Sequence, residues 1–266
     1  VNETINVDLS TSMRTADVGS YVNSSSNVSN SVGTAVATAT SWSAGAFTTD
    51  AANYTGVSSA AMTAGQLQIN GTSINASANY AVASDSYRAG DSAYAKAAAI
   101  NASGVAGVTA SATTEVTLAG LTGDKFLTAA GPAAGDTMAY TLEINGETIF
   151  SGSSVTSSGI SMDDAVAAIN SKKFETGVIA SKDSSNNLVL TAEDGRNIQV
   201  EETFAFTDGT TAASNSSGDY KTAFSTQTLT DDTTASDDSG TLTQGVMTFR
   251  GAVTLQSSAD ITINQG

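Results

Sequence analysis

Two eight-residue stretches with the same pattern decide the fold predicted for this chain. The first is Leu67-Gln68-Ile69-Asn70-Gly71-Thr72-Ser73-Ile74, and the second is Leu142-Glu143-Ile144-Asn145-Gly146-Glu147-Thr148-Ile149. Asn-Gly tolerates the positive φ angles that a tight turn between two antiparallel strands requires. Each stretch therefore predicts a β-hairpin.

The similarity continues after each hairpin. Ala98-Ala99-Ile100-Asn101 matches Ala167-Ala168-Ile169-Asn170, and each ends a predicted helix. We expect the first helix to begin near Asp91 or Ser92. The second is expected to begin at Ser161, with Asp164 three residues later in an arrangement that resembles a capping box.

A helix stop and a strand complete each copy of the repeat. Gly107-Val108-Thr109-Ala110 matches Gly177-Val178-Ile179-Ala180. Each copy is thus a hairpin, a helix that can pack on it and a third strand, which makes a small α+β unit.

Alternating apolar residues predict strands at both ends of the chain. Residues 3–9 alternate, and so do Val253 and Leu255, then Ile261 and Ile263, which we interpret as a C-terminal hairpin. The predicted fold class is β-rich α+β, with repeated hairpin–helix–strand units inserted between terminal strands of a missing core domain. The predicted segments are a strand stub of that core (1–20), a variable Ser/Ala-rich surface segment (21–63), a first unit (64–137), a second unit (138–207), a polar linker or loop region (208–240) and strands returning to the core (241–266).

Composition excludes several classes of function. The chain has 26 acidic and 10 basic side chains, a net charge of −16, and neither His nor Cys. An acidic chain without a basic stripe is not expected to bind nucleic acid, and no apolar run is long enough to enter a membrane as a helix. Without His or Cys there is no Ser-His-Asp triad, zinc site or thiol nucleophile. We therefore expect no enzymatic activity, no cofactor and no metal.

Three local features suggest chemistry, but each has a simpler explanation. The acidic residues Asp231-Asp232 and Asp237-Asp238 could bind Ca²⁺, yet they lack EF-hand spacing and are interpreted as a solvated loop. Asp163-Asp164 fits a helix N-terminus better than a catalytic carboxylate pair. Gly104 to Gly107 lacks the lysine of a phosphate-binding loop and is interpreted as a helix stop.

The order of these motifs resembles bacterial flagellin, the subunit of the flagellar filament. The Ile-Asn-Gly hairpin, the helix ending in Ala-Ala-Ile-Asn and the following Gly-Val-x-Ala are similar to the flagellin IN motif, here present twice. The opening residues 2–19, Asp194-Gly195-Arg196-Asn197-Ile198 and the ending 251–263 also look like flagellin segments. The structural residues implied for the two motifs are Ile69, Asn70, Gly71, Ile100, Asn101, Ile144, Asn145, Gly146, Ile169 and Asn170.

The resemblance implies a structural role. The chain looks like the outer, surface-facing domains of the D2–D3 type, because the apolar heptads of flagellin's terminal polymerising helices do not appear. It implies neighbouring flagellin subunits and host antibodies as partners, a location on the extracellular flagellum reached without a cleavable signal peptide, and a monomeric state for this chain alone. It also implies O-linked sugars, with candidates at Ser24, Ser25, Ser26, Ser153, Ser154, Ser157, Ser158, Ser214, Ser216 and Ser217.

Two alternatives stay open. A hook-associated or filament-cap protein can carry similar IN units. A cell-surface adhesin that binds glycans would need stacking faces, for which Trp42, Tyr54, Tyr80, Tyr87 and Tyr94 are candidates, although aromatic residues in so aromatic-poor a chain fit a core better.

Overall fold

A computed structural model describes residues 36–37, 42–44, 48–49, 56–118, 120–121, 123–128, 137–155, 158–207, 218–231, 239–243, 246–257 and 261–265. The strands in these ranges are β1 (Val36–Ala37), β2 (Trp42–Ala44), β3 (Thr48–Thr49), β4 (Leu67–Ile69), β5 (Thr72–Ser73), β6 (Val108–Leu118), β7 (Lys125–Thr128), β8 (Thr137–Ile144), β9 (Glu147–Val155), β10 (Ile160–Ser161), β11 (Ile179–Lys182), β12 (Leu188–Ala192), β13 (Ile198–Thr207), β14 (Gly218–Thr222), β15 (Ser225–Asp231), β16 (Ser239–Thr243), β17 (Met247–Phe249), β18 (Ala252–Ser257) and β19 (Ile263–Gln265). The helices are α1 (Ala93–Ala102), α2 (Met162–Ser171) and α3 (Lys173–Thr176), with 3-10 turns at Ser77–Tyr80 and Ser86–Arg88.

The strands form four antiparallel sheets. Their orders are β1-β16-β13-β8-β9 with β17 beside β13, β10-β7-β14-β15-β2 with β3 beside β15, β11-β12-β6-β18, and β19-β4-β5. This arrangement confirms the β-rich α+β fold class.

Both predicted Asn-Gly hairpins are present. Asn70 and Gly71 have φ angles of 51° and 76°, and Asn145 and Gly146 have 49° and 73°. Two successive positive φ angles are those of a type I′ turn, whose twist matches that of the paired strands. The same local chemistry thus produces β4–β5 and β8–β9.

Both helices begin where the sequence predicts. The Ser92 hydroxyl accepts a hydrogen bond from the Ala95 amide at 3.2 Å, at the start of α1. At the start of α2, the Ser161 hydroxyl accepts from the Asp164 amide at 3.1 Å and donates to the Asp164 carboxylate at 2.6 Å. Each serine satisfies a backbone donor that the helix itself leaves unpaired.

Each repeated unit has its own core. The first core packs α1 alanines against Ile69, Ile74 and the β18 residues Val253 and Leu255. The second and larger core contains Ile144, Ile169 and Leu190 together with a group of buried aromatic rings: Phe126, Tyr140, Phe204, Phe224 and Phe249. Burial of these apolar side chains is the main favourable term that holds each unit together.

The two units are nested rather than consecutive. The first consists of β4, β5, α1, β6, β18 and β19, and the second of β8, β9, α2, β11, β12 and β13. Residues 108–113 of β6 pair with β18, whereas residues 114–118 pair with β12 of the second unit. The second unit therefore enters the chain between two neighbouring strands of the first, and β6 belongs to both.

Two sequence-based interpretations are wrong. The predicted C-terminal hairpin does not form, because β18 pairs with β6 and β19 pairs with β4. Part of the 208–240 segment is not a loop, because β14 and β15 pair with each other and Ala223 and Phe224 between them are fully buried. Its many threonines are β-branched and suit a strand as well as a polar surface.

Two of the predicted segments, at the start of the chain, lie largely outside the described residues. The 1–20 stub lies entirely outside them, and the 21–63 segment contributes β1, β2, β3 and residues 56–63. Within the described part, no helix combines the length and apolarity needed to cross a bilayer.

Candidate functional site: the closures and the junction of the two units

An asparagine at the end of each main helix binds the third strand of its unit. Asn101 donates to the Ala110 carbonyl at 2.8 Å and accepts from the Ala110 amide at 2.7 Å. Asn170 makes the same two bonds to Ala180, at 2.8 Å and 2.9 Å. One amide side chain thus satisfies both polar backbone groups of one strand residue, in place of a neighbouring strand.

The asparagine of each hairpin turn binds the last strand segment of its unit. The Asn70 amide donates to the Thr262 carbonyl at 2.9 Å, and its side chain accepts from the Thr262 amide at 2.8 Å. Asn145 makes the same pair of bonds to Gln199, also at 2.9 Å and 2.8 Å. Each unit is therefore closed by the same two sets of hydrogen bonds, one from a helix-end asparagine and one from a turn asparagine.

The structure gives the ten residues of the two motifs a common arrangement. Ile69, Ile100, Ile144 and Ile169 are buried in the two cores, the four asparagines make the closing bonds, and Gly71 and Gly146 complete the turns. The motif residues named from the sequence are thus brought together within each unit as scaffold.

The two units meet at a cluster of four charged side chains, which we call the arginine clasp: Asp85 and Arg88 of the first unit and Asp194 and Arg196 of the second. Arg196 contacts Asp194 at 2.9 Å and Asp85 at 3.4 Å. Arg88 contacts Asp85 at 2.7 Å and Asp194 at 3.9 Å. Each arginine therefore bridges both units.

Backbone hydrogen bonds reinforce the clasp. The Tyr94 amide donates to the Gly195 carbonyl at 2.9 Å, and the Asn197 amide donates to the Tyr87 carbonyl at 2.7 Å. The Thr114 hydroxyl donates to the Arg196 carbonyl at 2.6 Å. The turn from Asp194 to Asn197 is consequently held from three directions by the first unit.

Glycine is required at the centre of this turn. Gly195 has a φ of +75°, and a Cβ there would lie 2.4 Å from the Ala112 Cβ. A side chain would therefore both strain the backbone and collide with β6. The close approach of the two units depends on this position.

A second ion pair extends the junction toward β18. Arg250 contacts Asp91 at 2.7 Å, and the Asn197 side chain donates to the other Asp91 oxygen at 3.2 Å. Nearby, Lys96 is buried and donates to the Ser58 carbonyl at 2.7 Å. The pKa of Lys96 is lowered to about 8, chiefly by burial; the charge of Asp91 opposes this change and the charge of Arg250 adds to it.

The charges in the clasp favour its ionised form. Burial of the Asp85 carboxyl acts to raise its pKa. The hydrogen bonds from Arg88 and the Tyr87 amide and the charge of Arg196 together outweigh this effect, so the pKa lies below its ordinary value of 3.8. The Asp85 carboxyl is therefore ionised at neutral pH.

The candidate stacking residues have partners within the protein. The Tyr80 hydroxyl accepts from the Asn75 side chain at 2.9 Å, and Tyr94 lies under the Arg88 guanidinium at 5.4 Å. Tyr87 belongs to the clasp loop. Trp42 lies in β2, and Tyr54 lies outside the described residues.

The other candidate residues have separate positions. Asp163 pairs with Lys182 at 2.6 Å and Asp164 accepts a hydrogen bond from the capping Ser161, and both lie in the first turn of α2, as expected for a helix N-terminus. Among the described residues, no three acidic side chains are grouped to hold a metal ion. Ser154 and Ser158 are exposed and Ser153 is half-buried. The candidates outside the described residues are Ser24, Ser25, Ser26, Ser157, Ser214, Ser216 and Ser217.

Sequence reasoning missed the clasp. Its signal is present but faint: three of the chain's four arginines lie at this junction, two of them within three residues of an aspartate. The contacts join residues far apart in sequence, and periodicity reports only near neighbours.

One of the two repeated units also matches a known family of proteins. Residues 141–194 match the model of the flagellin hook IN motif, which covers the second unit from the middle of β8 to the end of β12. No curated protein matches the chain significantly. The match ends at Asp194, the first residue of the clasp turn. The second unit is therefore similar to the flagellin hook IN motif over these residues, which supports a flagellin-like protein.

Proposed function

We propose that the chain forms the outer, surface-facing domains of a flagellar filament subunit. The observation that carries the proposal is the flagellin IN motif, set in a nested pair of closed units joined by the arginine clasp. The role is structural, and its partners are neighbouring flagellin subunits. In this proposal the two nested units, together with the later strands β14 to β19 that pair with them or beside them, project from a core domain.

Rigidity supports this role. A domain on a rotating filament is loaded by flow, and two units joined by a single flexible linker would move independently. Here β6 continues from one unit into the other, and the clasp fixes their contact on a second side. The pair is suited to act as one body that transmits load to the core.

Surface chemistry supports it as well. The net charge of −16 gives a hydrated surface that repels other filaments. Ser154 and Ser158 lie on the exposed surface, where O-linked sugars would be attached, and host antibodies would bind the same surface. The proposed location is the extracellular flagellum.

The first test is immunogold electron microscopy of native cells with an antibody raised against this chain. Labelling along the whole filament shaft is expected. Labelling confined to the filament base or tip would favour a hook-associated or cap protein, and labelling of the cell body alone would favour an adhesin.

The nested topology permits a second test. Ala112 pairs with Val253 in the first unit as Lys182 pairs with Leu188 in the second. Residues 113–252 can therefore be replaced by the five-residue turn 183–187, which closes the corresponding strands of the second unit. Filaments of this variant are expected to be thinner, and an unchanged diameter would contradict the outer position.

A hook-associated protein is the second candidate, because the description of the matching family model names the hook as well as flagellin. Position on the flagellum distinguishes it from a filament subunit.

A further inference from the structure

One short helix of the second unit presents an aromatic ring to solvent. Phe174 in α3 is 89% exposed, the highest value among the exposed large apolar side chains of the described residues. Lys172 and Lys173 precede it, and the Lys173 ammonium lies 5.1 Å from the ring centroid. We call these three residues the Lys-Phe knob.

The knob stands on a fixed base. The buried Thr176 donates to the Lys172 carbonyl at 2.9 Å, and its own carbonyl accepts from the Asn145 side chain at 2.8 Å. Gly177 ends α3 in the left-handed conformation, with its amide bound to the Lys173 carbonyl at 2.9 Å. The backbone that carries the ring is therefore held by ordered structure, which lowers the entropy cost of using the ring in a contact.

The first unit shows that closure does not need the knob. Between Asn101 and Gly107 it has Ala102-Ser103-Gly104-Val105-Ala106, without a lysine or an aromatic residue. Its apolar residue, Val105, is buried at 6% exposure. The closing asparagine bonds are nevertheless the same in both units.

We propose that the Lys-Phe knob docks against an acidic surface of a second copy of this chain in the filament. Charge complementarity carries the choice of partner: the knob brings two lysines together in a chain with 26 acidic and only 10 basic side chains. Lys172 has a Glu147 carboxylate at 3.6 Å, but both side chains of that pair are only half-buried, so the ammonium stays partly accessible. In this contact the apolar ring would be buried at the centre, and the two lysines would pair with acidic side chains at its edge.

The contact is too small to assemble copies by itself. A phenylalanine buries about 150–250 Å², whereas a stable interface buries roughly 1,600 Å². It acts only where other parts of the polymer already hold the copies close, which supplies a high effective concentration. This inference therefore rests on the proposed filament role.

The test is site-specific photocrosslinking in filaments assembled from the full-length protein. Phe174 is replaced by p-benzoylphenylalanine, the filaments are irradiated, and the products are separated by mass and sequenced. A crosslinked dimer of the chain with an acidic segment is expected. The matched control carries the same crosslinker at exposed Ala106 of the first unit, where dimer should be absent or several-fold less abundant.

A second variant examines the charges. With Lys172→Glu and Lys173→Glu in the same filaments, the dimer yield is expected to fall several-fold, because both members of the contact would then be acidic. An unchanged yield, a crosslink only to a different protein, or no crosslink in filaments that contain the chain would overturn the knob contact. Absence of the chain from immunolabelled filaments would instead overturn the proposed function on which it rests.

Discussion

The first and second units close with the same hydrogen bonds but differ greatly in size. The hairpin of the first is β4–β5, with three and two residues, whereas that of the second is β8–β9, with eight and nine. Both nevertheless carry an asparagine that binds the returning segment and another that binds the third strand. Closure thus depends on a few side-chain-to-backbone bonds, and the strand lengths can vary around them.

The helices differ in the way they are buried. In α1, Ala93, Ala95, Ala97 and Ala99 are all buried, so two faces of the helix lie against neighbouring elements. In α2 the buried residues Met162, Ala165 and Ile169 lie on one face. Small side chains let α1 fit between its own unit and the junction, where Tyr94 reaches Gly195.

The two units also differ in whether they are continuous in the sequence, and the family match covers only the continuous one. It covers residues 141–194 of the uninterrupted second unit. In the first unit, residues 119–251 separate β6 from β18, so the same arrangement in space is divided in the sequence.

The largest effect is expected at the junction. Gly195→Ala should lower the free energy of unfolding by about 3–5 kcal/mol, because the added Cβ collides with Ala112 and the φ of +75° is strained for alanine. Urea unfolding monitored by circular dichroism measures this. The control is Gly104→Ala in the first unit, where φ is +68° but no atom lies within 4 Å; it should cost about 1 kcal/mol. Equal losses would mean that the close approach of the units is unimportant.

The next comparison uses the two turn asparagines. Asn145 is buried and binds both Gln199 and Thr176, so Asn145→Ala should cost about 3 kcal/mol. Asn70 is exposed and its side chain has the single partner Thr262 among the described residues, so Asn70→Ala should cost about 1 kcal/mol. Urea unfolding of the two variants would measure both losses in the free energy of unfolding. A larger loss at Asn70 would reverse the ranking of the two closures.

Local chemistry explains which features the sequence predicts. Asn-Gly turns and the serine caps are each decided within a few residues, and both appear where expected. Of the predicted glycine helix stops, Gly177 ends α3, whereas α1 already ends at Ala102, before Gly107. The resemblance to flagellin also depends on such short motifs in order. The sequence therefore predicts the parts of each unit and the residues that close it.

Long-range pairing explains what the sequence does not predict. Val253–Leu255 and Ile261–Ile263 look like one hairpin, yet each strand pairs within the first unit across the inserted second unit. Asp91 lies 106 residues from Asn197 and 159 residues from Arg250. No local period records such contacts, so the nesting and the clasp require the structure.

Acid should weaken the junction before it weakens the separate cores. Because the folded pKa of Asp85 lies below 3.8, its stabilisation is complete above pH 3.8 and is lost as the pH falls through the lower folded value. Asp85→Asn should cost about 2 kcal/mol at neutral pH through the lost charged hydrogen bonds, and should flatten the fall in stability below pH 3.8. Unfolding measured from pH 7 to pH 2 tests both. If Asp85→Asn leaves the pH dependence of the free energy of unfolding unchanged, the charge of Asp85 does not contribute to the loss of stability in acid.

The smallest difference is expected between the two helix caps. Ser161→Ala should cost about 1 kcal/mol, because the two hydrogen bonds that it removes, both to Asp164, are exposed to water, and Asp163 and Asp164 still interact favourably with the helix dipole. Ser92→Ala should cost about 1.5 kcal/mol, since Ser92 is buried, also donates to the Ala89 carbonyl at 2.6 Å, and begins a helix without acidic residues in its first turn. Urea unfolding of the two variants at low and high salt separates these contributions. Salt should increase the cost of Ser161→Ala toward that of Ser92→Ala, because screening removes the aspartates' help. If salt changes neither stability loss, the charges of Asp163 and Asp164 do not affect the contribution of the serine cap of α2.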